Sequence, residues 1–309
     1  DRLSLRSNLD AQLKNWLKLG LSVTYSNTND DLKLADSEAG LITYSLTTPP
    51  NIQIYDINGN YSSVSQEGFT SPNPIAMAMY DDILLNRQKL NGNIFLEIKP
   101  LKNLTFRSTF GLNYLNTFNS VFVPSWSEAS RTVDTNEISV NQSYSMQWVW
   151  SNVFNYHLEL GKHSIQAMAG MEAKEEYGES LSGYGRGLVI EEIDYRYLDT
   201  ATSNKDAGNM SSKYAIVSYF GKVNYDFAGK YLLSATVRRD ASSRFGQNKN
   251  SAVFPSASVG WRMSEEKFMS GTRTWLTDLK WRAAWGVNGN DMIDNTATYD
   301  KYSMSLGGG

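Results

Sequence analysis

A strict two-residue alternation of side-chain character, repeated along most of the chain, limits what this sequence can fold into more than any other feature. Leu17, Leu19, Leu21, Val23 and Tyr25 are apolar, while Lys18, Gly20, Ser22, Thr24 and Ser26 between them are small or polar. The pattern returns in Leu104, Phe106, Ser108, Phe110, Leu112 and Tyr114 against Thr105, Arg107, Thr109, Gly111 and Asn113. It returns again in Leu279, Trp281, Ala283, Trp285 and Val287 against Lys280, Arg282, Ala284, Gly286 and Asn288. Period two is strand geometry, because successive side chains leave opposite faces. Roughly ten such segments occur, several longer than the ~5 to 6 residues of an ordinary globular strand. Long strands with one apolar face predict a barrel wall.

The connections sharpen that prediction, since tight and long links alternate in strict order. Tight links fall near Asp10 to Asn15, Lys99 to Asn103, His157 to Lys162 and Asp226 to Lys230; long ones cover 27–88, 118–136, 178–212 and 240–251. A soluble sandwich has no reason to keep every long loop at one end. An outer-membrane barrel does, with short turns in the periplasm and long loops outside. Trp16, Tyr156, Tyr225, Phe227 and Tyr231 cluster beside the tight links, where a periplasmic aromatic girdle belongs. One connection, Ser264 to Thr277, is longer, and its SEEKFM string predicts a short helix capped by Ser264. Residues 1–309 therefore read as one partial transmembrane β-barrel domain, all-β and antiparallel.

Length alone does not choose, because 309 residues suit two soluble domains or one large β-structure. Aromatics at 12%, with 18 Tyr and 8 Trp, sit in a chain of mean hydropathy -0.42, a polar chain rich in interfacial side chains. The longest apolar runs, such as Ile75 to Tyr80, fall far short of the ~20 residues that a membrane helix needs. A net charge of -3 gives no basic field, which excludes nucleic acid as a partner. With no cysteine there is neither a disulfide framework nor a thiolate site. The chain opens at Asp1 in strand-like sequence without an initiator Met or leader, which reads as a fragment or a processed piece.

The lipid side follows from cost. Arg or Lys facing lipid near the midplane costs about 2 to 4 kcal/mol, so Arg107, Lys222, Lys280 and Arg282 belong in a polar lumen. A one-residue slip would turn all of them outward, so the same alternation sets register.

Ordered strings add a resemblance. Ser218 to Arg239 reads SYFGKVNYDFAGKYLLSATVRR and continues into DASSRFG; Phe254 to Met269 reads FPSASVGWRMSEEKFM; Leu279 to Asp291 reads LKWRAAWGVNGND. With NPIAMAMYDD at Asn73 and LKNLTFRSTFGLNY at Leu101, these resemble, in order and spacing, the barrel strands of SusC/RagA-type TonB-dependent transporters. The resemblance implies part of a barrel of about 22 strands. It also implies a plug and a TonB box that lie outside this sequence, coupling to TonB, and a SusD-like surface lipoprotein as partner. Oligosaccharides or oligopeptides would be the cargo, with outer-membrane lipid and lipopolysaccharide around the wall. Ala241 departs from the family's more usual Gly, a minor loop variation.

Candidate contacts sit mainly at the outer end of one hairpin. Arg238 and Asp240 point into the lumen there, Arg244 follows in the loop, and Lys222 and Arg282 line the lumen lower down. One reading is a polar contact for substrate or plug; the plainer one is an ion-pair network that orders the strand exit. Arg239 faces outward, toward lipopolysaccharide phosphates. His157 and His163 flank a tight link with no third ligand or nucleophile in sight, so no metal, cofactor or catalytic residue is assigned. Gly183, Gly185 and Gly187 lack the strand, helix and Lys-Ser/Thr pair of a phosphate loop and read as loop flexibility. Glu172, Glu175, Glu176 and Glu179, like Glu191, Glu192 and Asp194, form no spaced calcium loop and read as solvated surface. Tyr44, Tyr55, Tyr61, Phe69 and Tyr80 in the first long loop suit sugar stacking, a lid protein, or packing among themselves. The rivals to an active importer are a passive porin, a glycan-binding surface β-protein and, more weakly, an enzyme.

Overall fold

The computed structural model describes residues 1–32, 41–66, 69–71, 73–80, 82–128, 131–246, 250–272, 274–295 and 297. Ten long strands, in chain order, make one antiparallel sheet, and each pairs with the next of them along the chain. They are β1 (Arg2–Lys14), β2 (Leu17–Leu32), β5 (Asp82–Leu101), β6 (Leu104–Val123), β9 (Glu137–Leu160), β10 (His163–Leu188), β11 (Ala201–Phe227), β12 (Tyr231–Ser242), β13 (Ser251–Arg262) and β14 (Lys280–Gly286). The numbers skipped are two small hairpins inside the long loops, β3 (Val64–Gln66) with β4 (Phe69–Ser71), and β7 (Trp126–Glu128) with β8 (Arg131–Val133). Two short helices, α1 (Leu41–Thr47) and α2 (Pro74–Tyr80), also belong to the first long loop.

Links between consecutive long strands alternate as the sequence predicts, tight and then long, until β13. The strands run further than the alternation alone suggests, so the tight link nearest the N-terminus shrinks to Asn15 and Trp16. The 178–212 segment is mostly strand, leaving only 189–200 as loop. At Ala228 and Gly229 the three-residue turn between β11 and β12 takes φ of 55° and 69°, the left-handed region that suits glycine and strains alanine. The SEEKFM segment differs from the predicted capped helix. It forms two 3-10 turns, Met263–Glu265 and Lys267–Thr272, and Ser264 lies inside the first of them, its hydroxyl on Asp278 Oδ1 at 3.2 Å. Ser264 N–H donates to Leu279 O at 3.2 Å, so the start of this connection is tied to the end of the sheet and Ser264 is not free to stand ahead of a helix as its cap.

Register separates the two faces. Asp10, Gly20, Phe95, Thr109 and Ser151 follow one another across β1, β2, β5, β6 and β9, and the same face carries Glu97 beside Arg107. Leu9, Leu21, Ile94, Phe110 and Trp150 make the opposite face, and all but Leu21 are strongly exposed. So much large apolar surface turned outward is what lipid contact requires of a wall, and what a soluble protein avoids. Along β11 the apolar face runs Phe227, Tyr225, Val223, Tyr219, Val217, Ala215 and then meets Lys213, which pairs with Glu175 on β10 at 3.2 Å. At ~3.3 Å per residue, β10 and β11 are longer than the ~9 to 11 residues needed to cross a membrane. Their outer halves therefore stand above it. Below, Phe227 and Tyr231 of the expected girdle fall side by side with Trp261 and Trp281, which the sequence reading does not include, across four strands at the turn end.

The small core sits in this outer region. Phe122, Ile138, Leu188 and Ala201 are buried at the tips of β6, β9, β10 and β11, with Val140 and Leu198 packed on them.

Candidate functional site

Arg238 and Asp240 stand two residues apart on the charged face of β12, so both enter the lumen at the outer rim. Arg238 Nε donates to Asp240 Oδ1 at 2.7 Å, and its Nη2 donates to Ser218 Oγ at 2.8 Å and to Glu172 Oε1 at 3.5 Å. Its guanidinium also lies over the Phe220 ring. Ser218 is almost fully buried beneath it, so the hydroxyl has no alternative partner in water. Every charge here has an opposite charge or a donor, the ion-pair network that the plainer reading expects.

Arg244 belongs to the same rim by a different route. The segment after β14 turns back over the lumen face: Val287 N–H donates to Pro255 O at 3.0 Å, and Gly289 lies against Phe254, where a side chain would collide with the ring. Asp291 on this strap accepts the Tyr214 hydroxyl at 2.7 Å and the Ser242 hydroxyl at 3.3 Å. Arg244 donates to Asp291 O at 3.0 Å and Asn295 Oδ1 at 2.7 Å, with its guanidinium stacked 4.0 Å over Tyr214. The Tyr214 hydrogen bond, helped by Ser242 and Arg244 and opposed by burial, holds the Asp291 carboxyl below the ordinary carboxylate range. Between strap and wall lies a cavity of about 570 Å³, bordered by Arg238, Asp240, Asn250, Asn288, Asn290 and Asp291. Its charged, amide-rich border and part-apolar floor of Ile216 and Phe254 suit a polar oligomer with some apolar surface.

Lys222 and Arg282 do not join this cluster. Lys222 pairs across with Thr236 on β12, and Arg282 with Gly260 on β13, both closer to the periplasmic turns. Glu172, Ser218, Tyr214 and Asp291 are the rim residues that sequence reasoning misses. Their partners lie between 20 and 77 residues away, and only the strand register brings them together.

The histidines point to opposite faces. His157 Nε2 meets Glu159 Oε1 at 3.0 Å, while His163 Nδ1 meets the Tyr225 hydroxyl at 2.7 Å among the girdle rings. Among the described residues no group of three His, Asp or Glu converges as metal ligands.

Two expectations need correction in the outer loops. The SGYGRGL glycines are close-packed positions rather than flexible ones: Leu198 fills the space at Gly183, a Cβ on Gly185 would lie 2.6 Å from Ala201 Cβ, and Gly187 takes φ 70°. The acidic run is no solvated strip either. Glu172 and Glu176 face one way and Glu175 and Glu179 the other, each with its own partners, because the run lies in β10 and a strand sends neighbours apart. Glu191 accepts the Ser125 N–H and hydroxyl at 3.0 and 2.6 Å and the Asn136 amide at 2.7 Å. Burial works to raise its carboxyl, yet those hydrogen bonds and the Arg196 charge outweigh it and hold the group below the ordinary value. Of the loop aromatics, Tyr55 stacks on Tyr61, Tyr61 meets Tyr80 edge-on, and Tyr80 stacks on Trp126 at 4.5 Å. They pack among themselves; the side chain of Phe69 lies outside the described residues.

Residues 24–305 match the family described as TonB dependent receptor-like, beta-barrel. The chain belongs to this TonB-dependent receptor family. It is 28% identical over 309 residues to TonB-dependent receptor P3 of Formosa agariphila, a match covering 98% of the chain and 31% of that relative. It is 25% identical over 305 residues to TonB-dependent receptor SusC of Bacteroides thetaiotaomicron, covering 92% of the chain and 29% of SusC. Among solved structures, a chain of the RagAB peptide importer in its open-open state superposes with a TM-score of 0.80 at 24% identity, over 95% of this chain and 33% of that one. The chain thus spans about a third of the length of the relatives it matches. The SusC/RagA resemblance and the transmembrane barrel fold are both upheld, and a TonB-dependent receptor barrel of this kind places the chain in the outer membrane of a Gram-negative bacterium. The family consists of receptors and transporters rather than enzymes.

Proposed function

We propose that the chain is part of the wall of an active importer, which takes oligosaccharides or oligopeptides across the outer membrane with energy delivered through TonB and a SusD-like lipoprotein over its outer mouth. Residues 1–309 are, on this reading, one stretch of a single barrel domain whose plug lies elsewhere in the polypeptide, and they contribute passage and recognition without chemistry of their own. The observation that carries it is the built rim in a receptor-family wall: Arg238 and Asp240, paired in fixed geometry, border an open cavity on the lumen face, and Arg244 fastens the strap that forms its other side. Fixed donors and acceptors around a concave space favour a defined ligand over general permeation. The RagAB relative is described as a peptide importer, which supports cargo of oligomer size.

Cells producing the full-length protein test this with fluorescent oligosaccharides and oligopeptides too large for general porins. Uptake is expected to stop when TonB is deleted or the proton gradient is dissipated, and a SusD-like lipoprotein is expected to co-purify. Uptake that continues unchanged without TonB would mean a passive porin instead.

A further inference from the structure

Among the described residues, four of the five links at the turn end of the sheet are two or three residues long, while the fifth, between β13 and β14, covers 263–279. Its base is clamped: Ser264 N–H donates to Leu279 O at 3.2 Å, and the Ser264 hydroxyl meets Asp278 Oδ1 at 3.2 Å. Beyond the clamp, Met269 N–H donates to Glu266 O and Leu276 N–H to Thr272 O, so the crossing is a folded body rather than a slack loop. It leans to one side of the wall. Glu266 accepts the Tyr231 hydroxyl at 2.7 Å and the Trp261 indole N–H at 3.2 Å, and the Phe268 and Trp261 ring centroids are 6.3 Å apart. Tyr231 and Trp261 share their face with Leu233, Val237 and Val259, the exposed apolar face of the wall. The crossing therefore sits under the lipid side and not under the lumen. Its hold on Lys230 and Tyr231 places Glu266 toward β12, away from the open edge at β14.

Phe268 is 67% exposed, and Trp275 in the same crossing is 74% exposed. Large rings left uncovered in water are unfavourable, whereas the layer where phospholipid headgroups meet acyl chains is where aromatic side chains settle. Through its contact with Trp261, Phe268 extends the girdle by one more ring, so this apolar surface is continuous with the lipid-facing wall. Charge supplies no attraction to anionic headgroups, because over 263–279 Glu265, Glu266 and Asp278 outnumber Lys267 and Arg273. We propose that the β13–β14 crossing is an interfacial foot, which places Phe268 and Trp275 among the phospholipids of the inner leaflet and so sets the depth of this hairpin in the outer membrane. The inference rests on the membrane wall and not on import, so it holds equally for a passive porin.

Full-length protein in phosphatidylcholine nanodiscs, doped with a phosphatidylcholine that carries a photoactivatable diazirine at the glycerol end of one acyl chain, provides the test without any variant. After irradiation and trypsin digestion, residues 268–273 and 274–280 are expected to carry lipid adducts, as are residues 231–238 of the lipid face. Residues 187–196 are the contrast, since Val189 and Ile193 there are exposed and apolar but stand beyond the outer tip of β10. Labelling of 268–273 is expected to exceed that of 187–196 by about fivefold or more, with the same yield when phosphatidylglycerol is added. Phe268→Asp is expected to cut the yield on 268–273 several-fold and to leave 231–238 unchanged. Labelled 231–238 beside unlabelled 268–273 would overturn the proposal. So would labelling of 268–273 no stronger than that of 187–196, labelling that requires phosphatidylglycerol, or undiminished labelling in a folded Phe268→Asp protein. If that variant does not fold, the comparison of peptides in the unaltered protein still decides.

Discussion

At the scale of single residues, the periplasmic girdle has a lock. Glu266 accepts the Tyr231 hydroxyl at 2.7 Å, the Trp261 indole N–H at 3.2 Å and the Lys230 ammonium at 3.1 Å. Tyr231, Trp261 and Lys230 hold its carboxyl below the ordinary carboxylate value against a smaller effect of burial. A depressed folded pKa contributes stability that is complete above the unfolded value of about 4.3 and is lost as pH falls through the folded value. Hydrogen exchange over residues 263–272 is therefore expected to stay slow from neutral pH to about pH 5 and to quicken at lower pH. Glu266→Gln should exchange fast at pH 7 already, without the acid transition; slow exchange in that variant would count against the lock. The same residue-level logic applies to the wall. Val223 is exposed on the lipid face in mid-strand and Asn224 faces the lumen, so Val223→Arg is expected to destabilise the bilayer-folded barrel by about 2 to 4 kcal/mol. Asn224→Arg should cost much less, as read from urea titrations in lipid. Similar losses from both would mean that the faces are assigned wrongly.

Between elements, three outer loops are fastened into one body. Arg196 donates to Asp82 Oδ2 at 2.6 Å and to Glu191 O at 2.7 Å while stacking on Phe122, Glu191 holds Ser125 and Asn136, and Tyr80 stacks on Trp126. Asn136 closes the set by donating to Leu188 O and accepting the Leu188 N–H. Leu198, half-buried over Gly183 and Gly185, is its apolar pin. Leu198→Ala is expected to cost about 1 to 2 kcal/mol locally, at the low end for a Leu truncation because the site is only partly enclosed. Limited proteolysis should then cut within 189–200 several-fold faster while the transmembrane strands stay intact. The strands, their order and their lumen face were legible because each is written locally, in period two and in turn chemistry at positions such as Gly161 and Gly229. The loop body and the strap were not. Glu191 finds Ser125 across 66 residues and Asp291 finds Tyr214 across 77, contacts set by register and loop path, with no local periodicity to announce them. The SGYGRGL glycines show the limit most plainly, since flexible and close-packed glycines look alike until Leu198 and Ala201 are seen against them.

At the scale of the whole molecule, the sheet is open. β1 and β14 pair on one side only, so each presents a free row of backbone donors and acceptors. In water such edges recruit other chains, and in lipid they have no partner at all, each unsatisfied group costing several kcal/mol. The apolar face compounds the problem, with Leu3, Leu5, Leu9 and Leu13 on β1 and Trp281 and Trp285 on β14 all more than half exposed. On the import reading the neighbouring strands are supplied by further polypeptide, in keeping with relatives about three times as long as this chain. Residues 1–309 expressed alone are expected to aggregate in detergent, whereas the full-length protein should run as a single species that shifts in mobility on heating. A single monodisperse species from the isolated stretch would mean that β1 and β14 find each other and close a smaller barrel. The ten-stranded lumen would then be too narrow for an oligomer beside a plug, and the importer reading would fall with it.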